Sequence, residues 1–258
     1  ASVVLLLVLK LSGRLKSLSR QTHLYCLLQG CTIFGINFVC FYHAAQWINS
    51  GLESVIFSMA VCYNAVNSWI FFRQKPHARF WPAVVIGIGG IVILFWPQLS
   101  ENHVSPQLLA GIGLSALGTL GFSLGNMISV RHQRQQQDTL TTTGYAMLYG
   151  ALVMALLSLV MGYSLVPPGN IRWLGAVCYL AIIGSVCGFG AYFILLGRIG
   201  AAKASWSTLL FPLVALAFSA EYEGFVWQPH AIIGLAAISC ANLLMFIRTP
   251  LRLNNHRS

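Results

Sequence analysis

The chain alternates long apolar stretches with short polar connections. A membrane-spanning helix needs roughly 20 apolar residues, and eight stretches approach or exceed that length. They lie at about 23–45, 53–72, 80–96, 107–130, 141–163, 173–197, 204–220 and 228–247. The segment before them, residues 1–11, is also apolar but is too short to cross a bilayer. The pattern predicts an all-α integral membrane protein whose helices pass back and forth through the bilayer.

Composition and charge agree with this prediction. With 57% hydrophobic and 8% charged residues, a chain of 258 residues has too few polar groups to coat a soluble globule. A net charge of +10 in a soluble protein would suggest nucleic acid. Here the basic residues form small clusters beside apolar stretches, where anionic lipid headgroups are the expected counterions. We therefore expect a lipid bilayer and no nucleic acid as a partner. The cysteines lie inside apolar stretches without metal-type spacing, so no metal and no cofactor is expected.

The distribution of Lys and Arg predicts the topology. When the eight stretches are threaded through a membrane, 14 of the 15 Lys and Arg residues fall on one side, and only Arg172 falls on the other. Short loops rich in Lys and Arg stay in the cytoplasm. This predicts a multi-pass protein of the cell membrane, of the bacterial inner-membrane kind, with a cytoplasmic C-terminus.

An internal repeat relates the two halves of the chain. Positions separated by 149 residues carry identical residues at four places, and a two-residue slip extends the match to three more. The pairs are Ile33 with Ile182, Gly35 with Gly184, Gly51 with Gly200, Ser58 with Ser207, Pro82 with Pro229, Ile86 with Ile233 and Gly87 with Gly234. The repeat predicts a first unit at 1–97 and a second at 107–248.

The same offset predicts helices before the present start. Shifting 141–163 back by 149 places its partner across residue 1, and shifting 107–130 back places its partner before it. We therefore expect that one helix and half of a second precede this chain. An odd number of five helices per unit makes the second unit enter the membrane from the opposite side, and such inverted repeats are typical of transporters.

Three segments resemble the drug/metabolite transporter superfamily of the EamA-repeat type. GTLGFSLGNMISVRH at 118–132 is similar to that family's sixth helix, and the stretch from Gly200 to Gly224 is similar to its ninth. FYHAAQWINSGLESVIFS at 41–58 resembles the end of the third helix and the start of the fourth. The first half departs from the family pattern, with Tyr63 at the position that matches Pro212.

The resemblance implies ten helices in two inverted five-helix halves. It also implies export or exchange of small metabolites, often amino acids or drug-like compounds. In this family the third, fourth, sixth, eighth and ninth helices line the cavity together with the first.

Polar side chains at membrane depth are the first candidates for a binding site, because each must meet a protein partner or line a wet cavity. The candidates for binding substrate are Asn37, Ser58, Tyr63, Asn64, Asn67, Ser123, Asn126, Tyr192, Trp206 and Ser207. Hydrogen bonding between packed helices is the alternative role for each. The acid Glu53 is expected at the outer end of its span, away from the midplane. Pro212 is expected to kink its helix and to free a carbonyl near Thr208, either as a gate or as a packing device.

The leading hypothesis is a transporter that moves a small organic solute by alternating access. A nucleotide-sugar or phosphorylated-sugar exchanger is the second transporter hypothesis, and it would need Lys or Arg deep in the cavity. An intramembrane enzyme or a structural bundle are the other classes considered. The chain has no HExxH, GxSxG, phosphate-binding loop or paired carboxylate, so we expect no enzyme and no catalytic residue. A homodimer is left open.

Overall fold

The computed structural model describes residues 1–76, 79–96, 105–163, 166, 169–204 and 210–244, without the side chains of 202, 203, 210 and 213. The regular secondary structure of this part of the chain is all helix, without a strand. The helices are α1 (Ser2–Leu11), α2 (Arg20–Ala44), α3 (Ser50–Phe72), α4 (Phe80–Leu94), α5 (Pro106–Arg134), α6 (Thr139–Val160), α7 (Ile171–Ile199), α8 (Ala201–Ala204), α9 (Leu210–Tyr222) and α10 (Pro229–Leu244). The predicted span at 204–220 falls partly on 205–209, outside the described residues.

Five of these helices are long and apolar enough to cross a membrane: α2, α3, α5, α6 and α7, with 22 to 29 residues each. At 1.5 Å per residue, 22 residues extend about 33 Å, which exceeds a hydrocarbon core of about 30 Å. Within the described residues α4, α9 and α10 are shorter, with 15, 13 and 16 residues. The prediction of an all-α, multi-pass membrane protein is confirmed.

Two of the long helices contain a π-helical segment. Gly30–Ile36 is the segment in α2, and Leu180–Phe189 is the segment in α7. Adding the repeat offset of 149 to 30–36 gives 179–185, which overlaps the second segment. The two halves therefore share an uncommon backbone feature at matching positions, and π-helical turns in general are often found at functional sites. The inverted orientation of the halves and their boundaries stay predictions.

Aromatic and basic residues meet at one end of the bundle. The Arg131 guanidinium lies 3.4 Å from the centre of the Tyr25 ring, and the Arg134 guanidinium lies 4.1 Å from the centre of the Phe72 ring. These contacts join the start of α2, the end of α3 and the end of α5. Two cations in the last turn of α5 also interact favourably with the helix dipole. This end of the bundle is the one that the positive charges predict to be cytoplasmic.

Glycines allow the closest helix crossings. A Cβ atom added at Gly90 of α4 would lie 2.9 Å from the carbonyl oxygen of Gly234 in α10. On α5, a Cβ added at Gly121 would lie 3.1 Å from the carbonyl oxygen of Thr32 in α2. Small residues at these points let the helix backbones approach closely, which is a main source of stability between helices in a membrane.

Candidate functional site

A cavity of about 750 Å³ lies between α2, α3, α5, α7 and α9. Volumes of about 300–1,000 Å³ are typical of small-molecule sites. Eight aromatic residues line it: Phe38, Phe41, Tyr42, Phe57, Phe122, Phe189, Tyr192 and Phe211. The polar lining comes mainly from Asn37, Ser50, Glu53, Ser54 and Ser185. The cavity is therefore an apolar, aromatic chamber with a few polar groups.

Helical spacing aligns the lining residues on each helix. On α3 they are 50, 53, 54 and 57, which follow the i, i+3, i+4, i+7 pattern of one helix face. On α7 they fall between 180 and 195, so they begin in the π-helical segment and continue beyond it. The α2 lining residues start at Asn37, directly after the other π-helical segment. The π-helical segment of α7 thus contributes lining residues, and the segment of α2 ends directly before the lining begins.

Aromatic rings form a continuous wall around Phe57. Its ring centre lies 5.5 Å from that of Phe41, 4.9 Å from that of Phe122 and 6.1 Å from that of Phe211. The Phe122 ring in turn lies 5.4 Å from the ring of Tyr192. This wall joins helices α2, α3, α5, α7 and α9 and gives the chamber its apolar character.

Two polar oxygens at the cavity have no hydrogen-bond partner among the described residues. They are Oδ1 of Asn37, whose residue is 94% buried, and Oε1 of Glu53, whose residue is half-buried. Helix α3 begins at Ser50 with Asn49 as its N-cap, so Glu53 lies within the first turn and on the cavity face. Unpartnered buried acceptors are unfavourable unless water or a ligand supplies a donor.

A second carboxylate lies near the predicted outer end of the cavity. Oε2 of Glu223 accepts the backbone N–H of Ser50 at 2.9 Å and the hydroxyl of Ser219 at 2.8 Å. Although burial opposes the change, the hydrogen bonds from Ser50 and Ser219 lower the pKa of the Glu223 carboxyl below its ordinary value. Glu223 therefore stays ionised at neutral pH. Its negative charge repels a negative charge on Glu53.

A polar network next to the cavity connects α3, α5 and α7. Asn67 donates from Nδ2 to the Ser123 hydroxyl at 2.8 Å, and that hydroxyl donates to Oδ1 of Asn64 at 2.8 Å. Nδ2 of Asn126 donates to Oδ1 of Asn64 at 3.3 Å and to the Tyr192 hydroxyl at 3.0 Å. We call these five residues the polar network. Its members on α3 and α5 lie closer than the cavity lining to the predicted cytoplasmic ends of those two helices, whereas Tyr192 of α7 belongs to both the network and the cavity lining.

The structure separates the residues proposed from the sequence into groups. Asn37 and Tyr192 line the cavity. Asn64, Asn67, Ser123 and Asn126 belong to the polar network with Tyr192 and bridge helices in this conformation. Their role towards a substrate stays a prediction.

The remaining candidates lie elsewhere in the fold. Ser58 is buried and donates to the Val55 carbonyl at 2.7 Å, and Tyr63 packs on a core cluster. Pro212 is the third residue of α9, and the carbonyl that it was expected to free, near Thr208, lies outside the described residues. Trp206 and Ser207 also lie outside them.

The sequence did not indicate Glu53 as part of a site. The hydropathy pattern starts its span at residue 53, which puts the carboxylate at the outer boundary. The helix in fact starts at Ser50, so the Glu53 side chain lies within the first turn and faces the cavity. The signal that could have found it is Asn49, a favoured N-cap residue that places Glu53 inside the helix.

Comparison with known proteins identifies the family. A family model described as the EamA-like transporter family matches residues 1–96 and 109–247. The chain belongs to the EamA-like transporter family. This agrees with the resemblance that the sequence segments showed.

Several relatives are similar to this EamA-like chain. An uncharacterized transporter of Synechocystis is 27% identical over 188 residues, covering 66% of this chain and 55% of the relative. A probable amino-acid metabolite efflux pump of Escherichia coli is 21% identical over 200 residues, covering 74% of this chain and 66% of the relative. A WAT1-related chloroplastic protein of Arabidopsis thaliana is 24% identical over 206 residues, covering 78% of this chain and 49% of the relative. The chain thus spans about half to two thirds of the length of these relatives.

A solved crystal structure also matches this EamA-like chain. The match covers 95% of this chain and 83% of the other, with a TM-score of 0.65 and 16% sequence identity. At this identity the match concerns the fold alone.

Proposed function

We propose that the protein of which this chain is part transports a small organic solute across the membrane by alternating access. The observation that carries the proposal is the aromatic cavity of about 750 Å³ between helices of both halves. A transporter needs such a site between units that can move relative to each other. The family membership and the names of the relatives support the same activity.

The conformation suggests which face the cavity opens towards. Its lining on α3 comes from residues 50–57, the half of that helix predicted to be outer. The inner half of α3 is held against α5 by the polar network. We infer an outward-facing arrangement in which the polar network closes the path to the cytoplasm. Transport in either direction would then require these hydrogen bonds to break and re-form.

The alternative of a phosphate-bearing sugar is less well supported. Phosphate recognition favours Arg or Lys, which neutralise its charge. Among the cavity-lining residues that the structure describes, there is no Lys or Arg, and the one acid is Glu53. These residues offer a phosphate group no cation and one carboxyl that would repel it when ionised, so we favour solutes without phosphate.

A cavity-filling substitution tests the proposal directly. Gly184 lines the cavity on α7, so Gly184→Trp would place an indole ring inside it. Gly175, on the same helix, is exposed and has no heavy atom within 4 Å of an added Cβ, so Gly175→Trp is the matched control. The full-length protein would be reconstituted in liposomes and assayed for flux of a labelled panel of amines, amino acids and neutral metabolites.

We expect flux of at least one compound class with the unchanged protein and with Gly175→Trp, and little or none with Gly184→Trp. Equal flux from both variants would show that this cavity is not the pathway. No flux of any compound, with protein correctly inserted, would contradict the proposed function itself.

A further inference from the structure

The charge and the hydrogen-bonding groups of the cavity indicate what kind of solute fits it. Glu53 is the one charged side chain among the described lining residues. A carboxylate against aromatic walls is costly to bury without a partner, because it loses its hydration. Its Oε1 has none among the described residues. A positively charged solute could therefore supply the partner that the Glu53 carboxylate lacks.

Asn37 and the start of α3 add further hydrogen-bond acceptors to the cavity. Oδ1 of Asn37 is a second unpartnered acceptor at this cavity. The Ser54 hydroxyl donates its proton to the Gly51 carbonyl at 2.7 Å, so its oxygen remains available as an acceptor. The backbone N–H of Ser50 already donates to Glu223 and is not available to a solute. The buried atoms of the described lining that lack a hydrogen-bond partner are thus both acceptors, Oδ1 of Asn37 and Oε1 of Glu53. An ammonium group has three N–H donors and no acceptor, which complements this arrangement.

The aromatic wall adds a third feature that suits a cation. Phe57 follows Glu53 by one helical turn on α3 and contacts the rings of Phe41 and Phe122. The face of an aromatic ring carries partial negative charge and attracts organic cations. The same rings bury the apolar body of a solute. The ionised carboxylate of Glu223 near the outer end of the cavity also favours the approach of positive charge.

We propose that the cavity selects organic ammonium ions with an apolar or aromatic body, with Glu53 as their counter-ion and Asn37 as a second hydrogen-bond acceptor. This inference rests on the proposed transport function and narrows its substrate class. A free amino acid fits less well, because its carboxylate would meet Glu53 without a cation from the described lining residues. A phenyl ring with an ethylammonium group has the shape and charge that the cavity favours.

The test measures binding, independently of flux. Labelled phenethylammonium, 2-phenylethanol, 3-phenylpropionate and phenylalanine share a phenyl ring and differ mainly in charge. Each would be bound at equilibrium to the full-length protein purified in detergent, unchanged and with Glu53→Gln. The control variant is Glu221→Gln, because Glu221 is exposed near the end of α9 and does not line the cavity.

We expect the unchanged protein to bind phenethylammonium most tightly of the four. Glu53→Gln should weaken this binding roughly ten- to a hundredfold, as the loss of a charge-assisted hydrogen bond does, and should leave 2-phenylethanol binding nearly unchanged. Glu221→Gln should change neither, since an exposed charge is screened by salt.

Three results would overturn the proposal: equal phenethylammonium binding by Glu53→Gln and the unchanged protein, tighter binding of phenylalanine or phenylpropionate, or no binding of any of the four. If other solutes are transported in liposomes while phenethylammonium does not bind, the substrate class is wrong and the transport function stands. If phenethylammonium binds as expected and no solute moves, the site is right and the transport function is wrong.

Discussion

At the scale of single residues, Asn64 is the centre of the polar network. Its side-chain oxygen accepts one hydrogen bond from Ser123 and one from Asn126, whereas Asn67 donates a single bond to Ser123. All four side chains are at least 94% buried. Because a membrane interior offers no water to replace a lost partner, the cost of a substitution depends on how many groups it leaves unsatisfied.

The two asparagines should therefore differ in their effect on stability. Asn64→Leu removes the acceptor of two buried donors and should lower the free energy of unfolding by about 1–2 kcal/mol. Asn67→Leu removes one donor and should cost about half as much. Unfolding of the detergent-solubilised protein by titration with sodium dodecyl sulfate would measure both. Ser54→Ala, which removes only a bond within one helix turn, is the control and should have little effect. Equal costs for both asparagines would contradict this account of the network.

The residue scale also shows how far the sequence could locate the site. Asn37 was predictable as a polar side chain at membrane depth, and it does line the cavity. Asn64 and Asn67 were equally predictable by that criterion, yet they bridge α3 and α5, and hydropathy cannot distinguish the two roles. Glu53 was missed because a shift of three residues in a helix start changes whether a side chain faces the membrane boundary or a cavity.

At the scale of helices, the crossing of α4 and α10 depends on glycine. Gly90 and Gly89 are neighbours on α4 but face different surroundings. A Cβ added at Gly90 would lie 2.7 Å from Ile238 and 2.9 Å from the Gly234 carbonyl oxygen, whereas one added at Gly89 would have no neighbour within 4 Å. The side of the helix that carries Gly90 is therefore in close contact with α10.

Alanine at these two positions should have opposite effects. Gly90→Ala forces α4 and α10 apart and should destabilise the protein by about 1–3 kcal/mol, the usual cost of overpacking. Gly89→Ala should be neutral or stabilising by up to about 1 kcal/mol, because alanine has the higher helix propensity. Thermal unfolding in detergent, followed by circular dichroism, would compare them. A larger loss of stability from Gly89→Ala than from Gly90→Ala would contradict the crossing.

The helices also show what a hydropathy pattern leaves out. Five predicted spans correspond to membrane-length helices with boundaries that differ by a few residues. The π-helical segments at Gly30–Ile36 and Leu180–Phe189 had no signal of their own, because a change of hydrogen-bond register leaves composition unchanged. Only the repeat, through Gly35 and Gly184, indicated that these two places correspond.

At the scale of the whole molecule, the proposed transport function makes this arrangement of the cavity and the polar network one state of a transport cycle. On α3 the cavity lining lies in the predicted outer half of the helix, and Asn64 and Asn67 of the network lie on the cytoplasmic side of that lining. Alternating access requires a second state in which the network opens and the same lining residues meet the cytoplasm. A substitution that weakens the network should increase the population of that state.

The most direct test of this account follows the accessibility of one lining residue from each side of the membrane. Ser54 lines the cavity, so Ser54→Cys would be labelled with a membrane-impermeant maleimide in intact cells and in inverted vesicles, against the background of the native cysteines. We predict labelling mainly from outside, and added labelling from the cytoplasmic side when Ser54→Cys is combined with Asn64→Leu. Labelling from the cytoplasmic side alone, or no change on weakening the network, would contradict an outward-facing cavity closed by that network.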